Sequence, residues 1–164
     1  MEKLAEISPT KYAKAERISP NAIDYQREVV EEFLSIKPII DDVDHMFIIM
    51  NKQRQLVYAN KLFYQFVESD EILSQRLGEA LKCIHSTEEI GGCGTSENCA
   101  ECGAVNSILT SMRKGVAVEE CRITSEQNKV YDLKVWSKKL TIGDNDFTLT
   151  SITDISSEKR RVVL

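Results

Sequence analysis

Four of the five cysteines of this chain are close together in the sequence, in an arrangement that could bind a metal. The segment GGCGTSENCAECGA, residues 91–104, contains Cys93, Cys99 and Cys102, and Cys83 lies just upstream. A Cys-x-x-Cys pair on a turn directs two sulfurs toward one ion, and four thiolates complete a tetrahedral zinc site or hold a [4Fe–4S] cluster. The spacing therefore predicts a metal centre at these four cysteines.

The identity of the metal is less well defined by the sequence. The spacing matches neither the paired Cys-x-x-Cys knuckles of zinc ribbons nor the usual ferredoxin pattern. A zinc ion would stabilise a long, otherwise loose connection. A [4Fe–4S] cluster would also provide a signal, because oxidants alter it. We favour the cluster slightly. Gly92, Gly94 and Gly103 suit either centre, since glycine lets backbone N–H groups approach sulfur.

Other interpretations of these residues remain open. The cysteines could be reduced, partly buried thiols without a metal, or Cys99 and Cys102 could form a dithiol switch. His85 is a possible alternative metal ligand, and it could also ligate a haem, which we do not expect. Cys121 lies in a strand-like run, EECRI, where packing is a better explanation than metal ligation.

Composition limits the classes of function. The chain has 164 residues, 42% of them hydrophobic, and a net charge of −5, which fits one soluble domain and argues against a general nucleic-acid binder. Its apolar runs are too short to span a bilayer, and its N-terminus has no signal-peptide core. We expect a cytoplasmic protein without a membrane partner, where cysteines stay reduced and serve metal binding or redox chemistry.

The pattern of apolar residues predicts the elements that position the cysteines. MFIIM and LVYA form a predicted hairpin, and VAVEECRIT, VYDLKVWSKKL and FTLTSITDI form a predicted three-strand meander. Between them, Asn60 is placed to cap the helix KLFYQFVES, EILSQRLGEAL is a second helical piece, and a third helix stops at Gly115. Clustered strands with segregated helices predict an α+β domain with an antiparallel sheet.

The N-terminal part of the chain has a different character. Residues 1–20 are polar and are predicted to be a flexible segment. Residues 21–43 are predicted to form an amphipathic helix that Pro38 kinks or ends, which either packs on its own domain or dimerises. The apolar stripe of this helix consists of Ile23, Val30, Phe33 and Leu34.

This organisation resembles the PAS family of sensory domains. The specific cues are VYAN, which ends with Asn60 at the close of the second strand, and TDISSEKR at the close of the last strand. The resemblance implies a PAS domain over residues 44–155, with five antiparallel strands in the order 2-1-5-4-3 and helices on one face. It also places the cysteine segment in the helical connection where PAS domains hold ligands, and the segment itself resembles a cysteine-rich PAS subgroup.

The resemblance also implies how a signal leaves the domain. Residues 156–164 would begin a signalling helix, and Asp154 would tie the core to that helix. The chain would act as a homodimer joined to a downstream output domain, in this family commonly a two-component histidine kinase. The chain contains no kinase motifs of its own, and we expect no enzymatic activity from it.

Three functional hypotheses follow from these observations. The first is a cytoplasmic sensory domain whose four-cysteine metal centre responds to redox state or oxygen. The second is a PAS dimerisation or interaction module in which the four cysteines hold a structural zinc ion, without redox sensing. The third, a thiol oxidoreductase at Cys99 and Cys102, is the least favoured, because this pair does not follow a strand in a thioredoxin-like order.

Overall fold

The computed structural model describes residues 9–35 and 37–162 of the chain. It contains five strands, namely β1 (Met46–Met50), β2 (Leu56–Ala59), β3 (Val116–Thr124), β4 (Val130–Ile142) and β5 (Asn145–Asp154). They form one sheet in the order β2-β1-β5-β4-β3, and every neighbouring pair is antiparallel. The predicted hairpin, meander and strand order are therefore confirmed.

Helices precede, connect and follow the strands. The α-helices are α1 (Pro20–Phe33), α2 (Lys37–Asp42), α3 (Lys61–Val67), α4 (Leu77–Ala80), α5 (Gly103–Lys114) and α6 (Ser156–Val162). Two short 3-10 helices, Ile84–Thr87 and Glu97–Glu101, lie between α4 and α5. Gly115 ends α5 as predicted, with a positive φ of 97° that favours glycine.

The helical piece expected over EILSQRLGEAL is shorter than predicted. Only Leu77–Ala80 is α-helical. Upstream of it, Ser74 has a left-handed backbone, and main-chain hydrogen bonds join Leu56 to Ser74 and to Gln75. Pairing with the start of β2 therefore prevents a helix from forming across this segment.

The main hydrophobic core lies on the inner face of the sheet. Met46, Ile48 and Met50 of β1 share this face because successive strand residues point to opposite sides. The helices between β2 and β3 cover it with residues such as Phe63 of α3 and Ile108 of α5. This core forms one wall of the region in which the cysteines lie.

A second, smaller core lies on the outer face, where α1 packs against the sheet. Ile23, Val30 and Leu34 are buried there against strand residues that include Ile49. Phe33, the last residue of α1, does not belong to this buried stripe and is 52% exposed, whereas Leu34, which follows the helix, is buried. This helix thus packs on its own domain, which is one of the two arrangements that the sequence left open.

The predicted helix over residues 21–43 is divided in two. A first helix ends at Phe33, and α2 begins at Lys37, so that Pro38 lies in the first turn of α2, where its missing N–H is tolerated. The start of α1 is defined by Ser19, whose hydroxyl accepts a hydrogen bond from the N–H of Ala22. No helix among the described residues is both long enough and apolar enough to cross a bilayer.

The segment before α1 differs from the flexible chain that we expected over residues 1–20. The N–H of Lys11 donates to the carbonyl of Thr95 at 2.9 Å, and that of Ala13 donates to Gly94 at 2.8 Å. These bonds attach the entering chain to the cysteine segment. Residues 1–8 lie outside the described residues.

Asn60 is confirmed as the N-cap of α3, and it also joins several other segments. Its side-chain oxygen accepts hydrogen bonds from the N–H groups of Phe47 and Phe63. Its amide donates to the carbonyls of Ile40 and His45. The side chain is fully buried, so it satisfies main-chain groups that water cannot reach.

Candidate metal centre

All four predicted metal ligands line one small cavity between α5 and the inner face of the sheet. Cys83, Cys93, Cys99 and Cys102 border this cavity of about 40 Å³, together with His85 and apolar residues of the core. Among the described residues, however, no three histidine, cysteine, aspartate or glutamate side chains are close enough together to hold a metal ion. The four sulfurs share a cavity without being gathered at one point, and the metal site stays a prediction.

Each cysteine is presented by a different local element. Cys83 follows α4 and precedes the first 3-10 helix, whereas Cys93 lies in the glycine-bearing loop. Cys99 belongs to the second 3-10 helix, and Cys102 is the N-cap residue of α5. The cavity is therefore assembled by the short turns that the polar, glycine-bearing sequence favours over regular helices.

A glycine outside the cysteine segment makes room for one of the sulfurs. A methyl group on Gly78 of α4 would lie 2.7 Å from the Sγ of Cys93 and 3.5 Å from the Cβ of Cys83. The first of these distances is too short for an ordinary contact, so a side chain at this position would displace the sulfur. Gly78 was not among the predicted site residues, because only the folded chain brings α4 against the loop.

Backbone N–H groups lie near all four sulfurs and favour their thiolate forms by lowering the pKa of each thiol. These groups belong to Gly78 at Cys93 and to Ala104 and Val105 at Cys102. They belong to His85 and Ser86 at Cys83, and to Gly94 and Ser96 at Cys99. Such N–H groups stabilise thiolates and tune metal–sulfur centres.

Burial keeps most of these thiols protonated when no cation is bound. It raises the pKa of Cys93 to about 12, and it also raises the pKa values of Cys83 and Cys99 above the usual value of 9.0. In each of the three, burial outweighs the nearby N–H groups that favour the thiolate. A metal would have to displace these protons, because only the thiolate is a good ligand.

Two arginines are buried beside the cavity, and Arg76 is only 1% exposed. It donates to the carbonyls of Gly91 and Cys93 in the cysteine segment, and Arg54 also donates to Cys93 at 3.0 Å. Burial, with Arg54 as a further cause, lowers the pKa of Arg76 to about 9. The cysteine segment is therefore organised around buried positive charge.

This positive charge is only partly balanced by the residues around it. Of Arg17, Arg54 and Arg76, only Arg17 forms an ion pair among the described residues, with Glu79. Glu79 also accepts hydrogen bonds from the backbone N–H groups of Arg76 and Cys93. A divalent ion held by four thiolates carries two negative charges, so the excess of buried guanidinium suits such a centre.

His85 borders the cavity but already contacts a carboxylate. Its Nδ1 contacts Glu88, which also accepts hydrogen bonds from Ser96 and Asn98. The hydrogen bond from Ser96, followed by those from His85 and Asn98, lowers the pKa of Glu88 to about 2. This network connects the two 3-10 helices and is an alternative explanation for the position of His85.

Cys121 is a member of the cysteine cluster that sequence reasoning missed. It packs in β3 as predicted and is buried, but its Sγ also lies 3.6 Å from the Sγ of Cys102. The hydrogen bond between the two thiols, in which either sulfur can be the donor, lowers the pKa of Cys102 and raises that of Cys121. No pattern in the sequence could have indicated this contact, because it depends on the packing of α5 on β3.

The outgoing helix α6 is attached to the sheet at several points. Asp154 accepts hydrogen bonds from the N–H and hydroxyl of Ser156, which fixes the start of α6. In addition, Ser156 accepts from the N–H of Asp132 on β4, and Lys159 forms an ion pair with Glu120 on β3. The role of Asp154 in passing a signal stays a prediction. The contacts of Ser156 and Lys159 attach α6 to β4 and β3 as well.

Comparison with known proteins gave matches only among solved structures. No protein-family model and no curated protein matches the chain. The PAS domain of nitrogen regulation protein NR(II) from Vibrio parahaemolyticus is 12% identical with a TM-score of 0.54, and the match covers 74% of this chain and 98% of that one. A PAS domain from Colwellia psychrerythraea is 10% identical with a TM-score of 0.56, covering 77% and 98%. The Rhodobacter sphaeroides LOV protein is 16% identical with a TM-score of 0.53, covering 76% and 67%.

Proposed function

Because the chain has the PAS fold, we propose that it is a cytoplasmic sensory domain of a signal-transduction protein. Its four-cysteine cavity holds a metal centre that responds to redox state or oxygen. The observation that carries this proposal is the shared environment of the four sulfurs, which border one cavity beside two buried arginines and lie near backbone N–H groups that favour their thiolate forms. A set of neutral core thiols would need neither the N–H groups nor the positive charge.

The residues of the site have separate tasks in this proposal. Cys83, Cys93, Cys99 and Cys102 supply the thiolates, and Arg54 and Arg76 balance part of the negative charge. An iron–sulfur cluster would supply sensitivity to oxidants, which change its charge or destroy it. The cysteine segment itself would then lose the contacts that determine its conformation.

The contacts of α5 and α6 provide a route from the cysteines to the output. Cys102 begins α5, which packs on β3, and Glu120 of β3 contacts Lys159 of α6. A change at the start of α5 would therefore alter the attachment of α6, provided that the two states of the centre favour different arrangements of this helix. The chain is a sensor rather than an enzyme, and α6 leads toward an output domain such as a histidine kinase.

We also propose that the chain forms a homodimer through the part of the outer sheet face that α1 leaves open. Val116 and Val118 point to this face, opposite the buried side chain of Cys121, and are about half exposed. Trp136 pairs with Val118 across the strands and extends the apolar surface. An exposed apolar patch of this kind is typical of a protein interface.

The size of the cavity favours a second candidate function. A cavity of about 40 Å³ has room for a few waters, by the rule that each needs at least about 10–15 Å³, and thus for a single ion. An eight-atom cluster would require the loop to open. A structural zinc ion at the same cysteines would make the chain an interaction or dimerisation module without redox sensing.

The test is to purify the full chain without oxygen and to measure its metal and sulfide content together with its visible absorption spectrum. We expect iron and sulfide in a brown protein that oxidants bleach, with a change in hydrogen exchange of α6 on bleaching. The Cys93→Ser variant should lose the metal. The Cys121→Ser variant is the matched control, because Cys121 is outside the predicted ligand set, and it should retain the metal.

The outcomes separate the two candidates. A colourless protein with one zinc per chain, lost in Cys93→Ser, would support the structural zinc site and contradict redox sensing by a cluster. Protein without metal after reconstitution with iron and sulfide or with zinc would contradict both candidates.

A further inference from the structure

Cys102 and Cys121 form a close pair of thiols, of which only Cys102 belongs to the predicted metal ligands. Their sulfurs are 3.6 Å apart, and both cysteines are free. A disulfide bond is about 2.0 Å long, so a movement shorter than one such bond would bring the two sulfurs together. The partners come from different elements, the residue just before α5 and the middle of β3.

The backbone holds these two elements together more closely than most residues would allow. A methyl group on Gly103 would lie 2.0 Å from the carbonyl oxygen of Glu120. Only glycine therefore fits at the start of α5, and this close approach places the preceding residue, Cys102, directly beside Cys121. The short distance between the sulfurs is a consequence of this packing rather than of one rotatable side chain.

The pair is also accessible from the surface. Cys121 borders a surface groove of about 300 Å³ together with Arg122, Asp132 and Ile155. Cys102 borders the cysteine cavity on the other side and is partly exposed. A small oxidant can thus reach the pair without unfolding the core.

We propose that Cys102 and Cys121 are a peroxide-reactive pair that forms a reversible disulfide. The thiolate of Cys102 attacks the terminal oxygen of a hydroperoxide, the O–O bond breaks, and Cys102 becomes a sulfenic acid. The leaving alkoxide, or hydroxide when the oxidant is hydrogen peroxide, takes up the proton that Cys102 released and departs as alcohol or water. Cys121 then attacks this sulfur, an S–S bond forms, the S–O bond breaks, and the hydroxide leaves as water with the proton of Cys121. Two thiols are oxidised by two electrons, and the hydroperoxide is reduced to an alcohol and water.

The disulfide deepens the proposed function. It rests on that function in one respect, because Cys102 belongs both to the thiol pair and to the predicted metal ligands. A sulfur in a disulfide is no longer a thiolate ligand, so oxidation of the pair and metal binding by Cys102 exclude each other. Because Cys121 lies beside Cys102, peroxide can remove Cys102 from the metal centre, and a dithiol reductant can restore it as a ligand.

The position of Cys121 connects this chemistry to the outgoing helix. The neighbouring residues Glu120 and Arg122 contact Lys159 of α6 and Asp132 of β4, and the N–H of Asp132 donates to the hydroxyl of Ser156. Drawing Cys102 toward Cys121 therefore acts on the strand segment to which α6 is attached.

The experiment treats the full chain with an equimolar amount of hydrogen peroxide, blocks the remaining thiols by alkylation, and maps disulfides by mass spectrometry after digestion without reductant. We expect the loss of two titratable thiols per chain and a linked peptide pair containing Cys102 and Cys121, both reversed by dithiothreitol. The Cys121→Ser variant should lose this link. The Cys99→Ser variant is the control and should keep it, even if its metal content falls.

The metal content of the untreated protein is measured in the same samples, so that the two proposals fail separately. Protein without metal that still forms the Cys102–Cys121 link would contradict the metal centre and support the disulfide. Protein with metal in which peroxide links Cys99 to Cys102, or links no cysteine to Cys121, would overturn the disulfide proposal and leave the metal centre intact.

Discussion

At the scale of single residues, Asn60 and Arg76 are polar side chains with almost no exposure that satisfy main-chain groups of several segments. Asn60 contacts four backbone groups around the start of α3. Arg76 donates to backbone carbonyls of the entering chain and of the cysteine segment. Removing either side chain leaves buried backbone groups unpaired, which costs more than the lost hydrogen bonds alone.

We predict that Asn60→Ala destabilises the chain by about 2–4 kcal/mol, because a helix cap and buried hydrogen bonds are lost together. The measurement is urea unfolding followed by circular dichroism. Asn21→Ala is the matched control, since Asn21 is exposed on α1, and it should change the free energy of unfolding by less than about 0.5 kcal/mol. Equal effects of the two substitutions would contradict the role given to Asn60.

At the scale of elements, Glu79 of α4 connects a helix start to the cysteine segment and to the entering chain. It accepts hydrogen bonds from the N–H groups of Arg76 and Cys93 and pairs with Arg17. Burial opposes the ionised form, but the hydrogen bonds from Arg17, Arg76 and Cys93 outweigh it and lower the pKa of Glu79 below its usual value of 4.5. The ionised carboxylate therefore stabilises the folded state.

The lowered pKa of Glu79 predicts acid sensitivity. Its contribution is fully present above the unfolded-state pKa of 4.5 and is lost as the pH falls through the folded-state pKa. We expect Glu79→Gln to destabilise the chain by about 1.5–3 kcal/mol at neutral pH, with the difference from wild type shrinking below pH 4.5. Urea unfolding at several pH values measures this difference.

The control for this prediction is Glu71→Gln, because Glu71 is exposed. This variant should stay within about 0.5 kcal/mol of wild type at neutral pH. A difference between Glu79→Gln and wild type that does not depend on pH would show that the Glu79 carboxylate is not the acid-sensitive group.

The contact of α5 with β3 makes a separate prediction about Gly103. In Gly103→Ala the new methyl group would meet the carbonyl of Glu120, which is backbone and cannot rotate away. We expect a loss of at least about 2 kcal/mol, at the upper part of the range for overpacking, together with slower formation of the Cys102–Cys121 disulfide. Thermal unfolding and the peroxide assay measure the two effects.

Gly115→Ala distinguishes this clash from backbone strain. Gly115 has a positive φ but open space where a methyl group would lie, so this variant should cost only about 1–2 kcal/mol and leave disulfide formation unchanged. If both variants slow the disulfide equally, the close approach at Gly103 is not what brings the sulfurs together.

At the scale of the whole molecule, the two faces of the sheet are covered to different extents. The inner face is covered by the helices that carry the cysteines, whereas α1 covers only part of the outer face. Val116 and Val118 remain about half exposed on the rest. The proposed dimer would bury this surface close to β3, the strand to which α6 is attached.

We predict that Val118→Lys converts a homodimer of the full chain into a monomer, because a charged side chain in a dry interface is costly. Light scattering after size-exclusion chromatography measures the molar mass. Ile90→Lys is the control, since Ile90 is 96% exposed in the loop beside the cysteines. This variant should have the same molar mass as wild type. A wild-type monomer would contradict the dimer directly.

The fold was largely predictable from the sequence because its signals are local. Alternating or continuous apolar residues indicate the strands, and Asn60 and Gly115 mark helix boundaries through their own backbone chemistry. Prediction was wrong where tertiary contacts compete with local preference. Ser74 lies in a stretch with helical character, yet its main chain pairs with Leu56 of β2.

The candidate site was predictable in composition but not in detail. Close spacing in the chain made the four clustered cysteines recognisable. Gly78, Arg76 and Cys121 were not recognised, because each approaches the site from another element, and neither a buried arginine nor a strand cysteine has a distinctive local pattern.

The attachment of the entering chain to the cysteine segment has a consequence for the direction of information flow. Main-chain bonds at Lys11 and Ala13, and carbonyls that accept from Arg54 and Arg76, join residues 9–19 to the same loop that carries Cys93. Linkage between two sites is reciprocal. If a change in the loop alters the position of the entering chain, then tension on that chain, or its repositioning, alters the loop with the same coupling free energy. In the proposed sensor, a force on this chain would thus shift the threshold at which the cysteines respond.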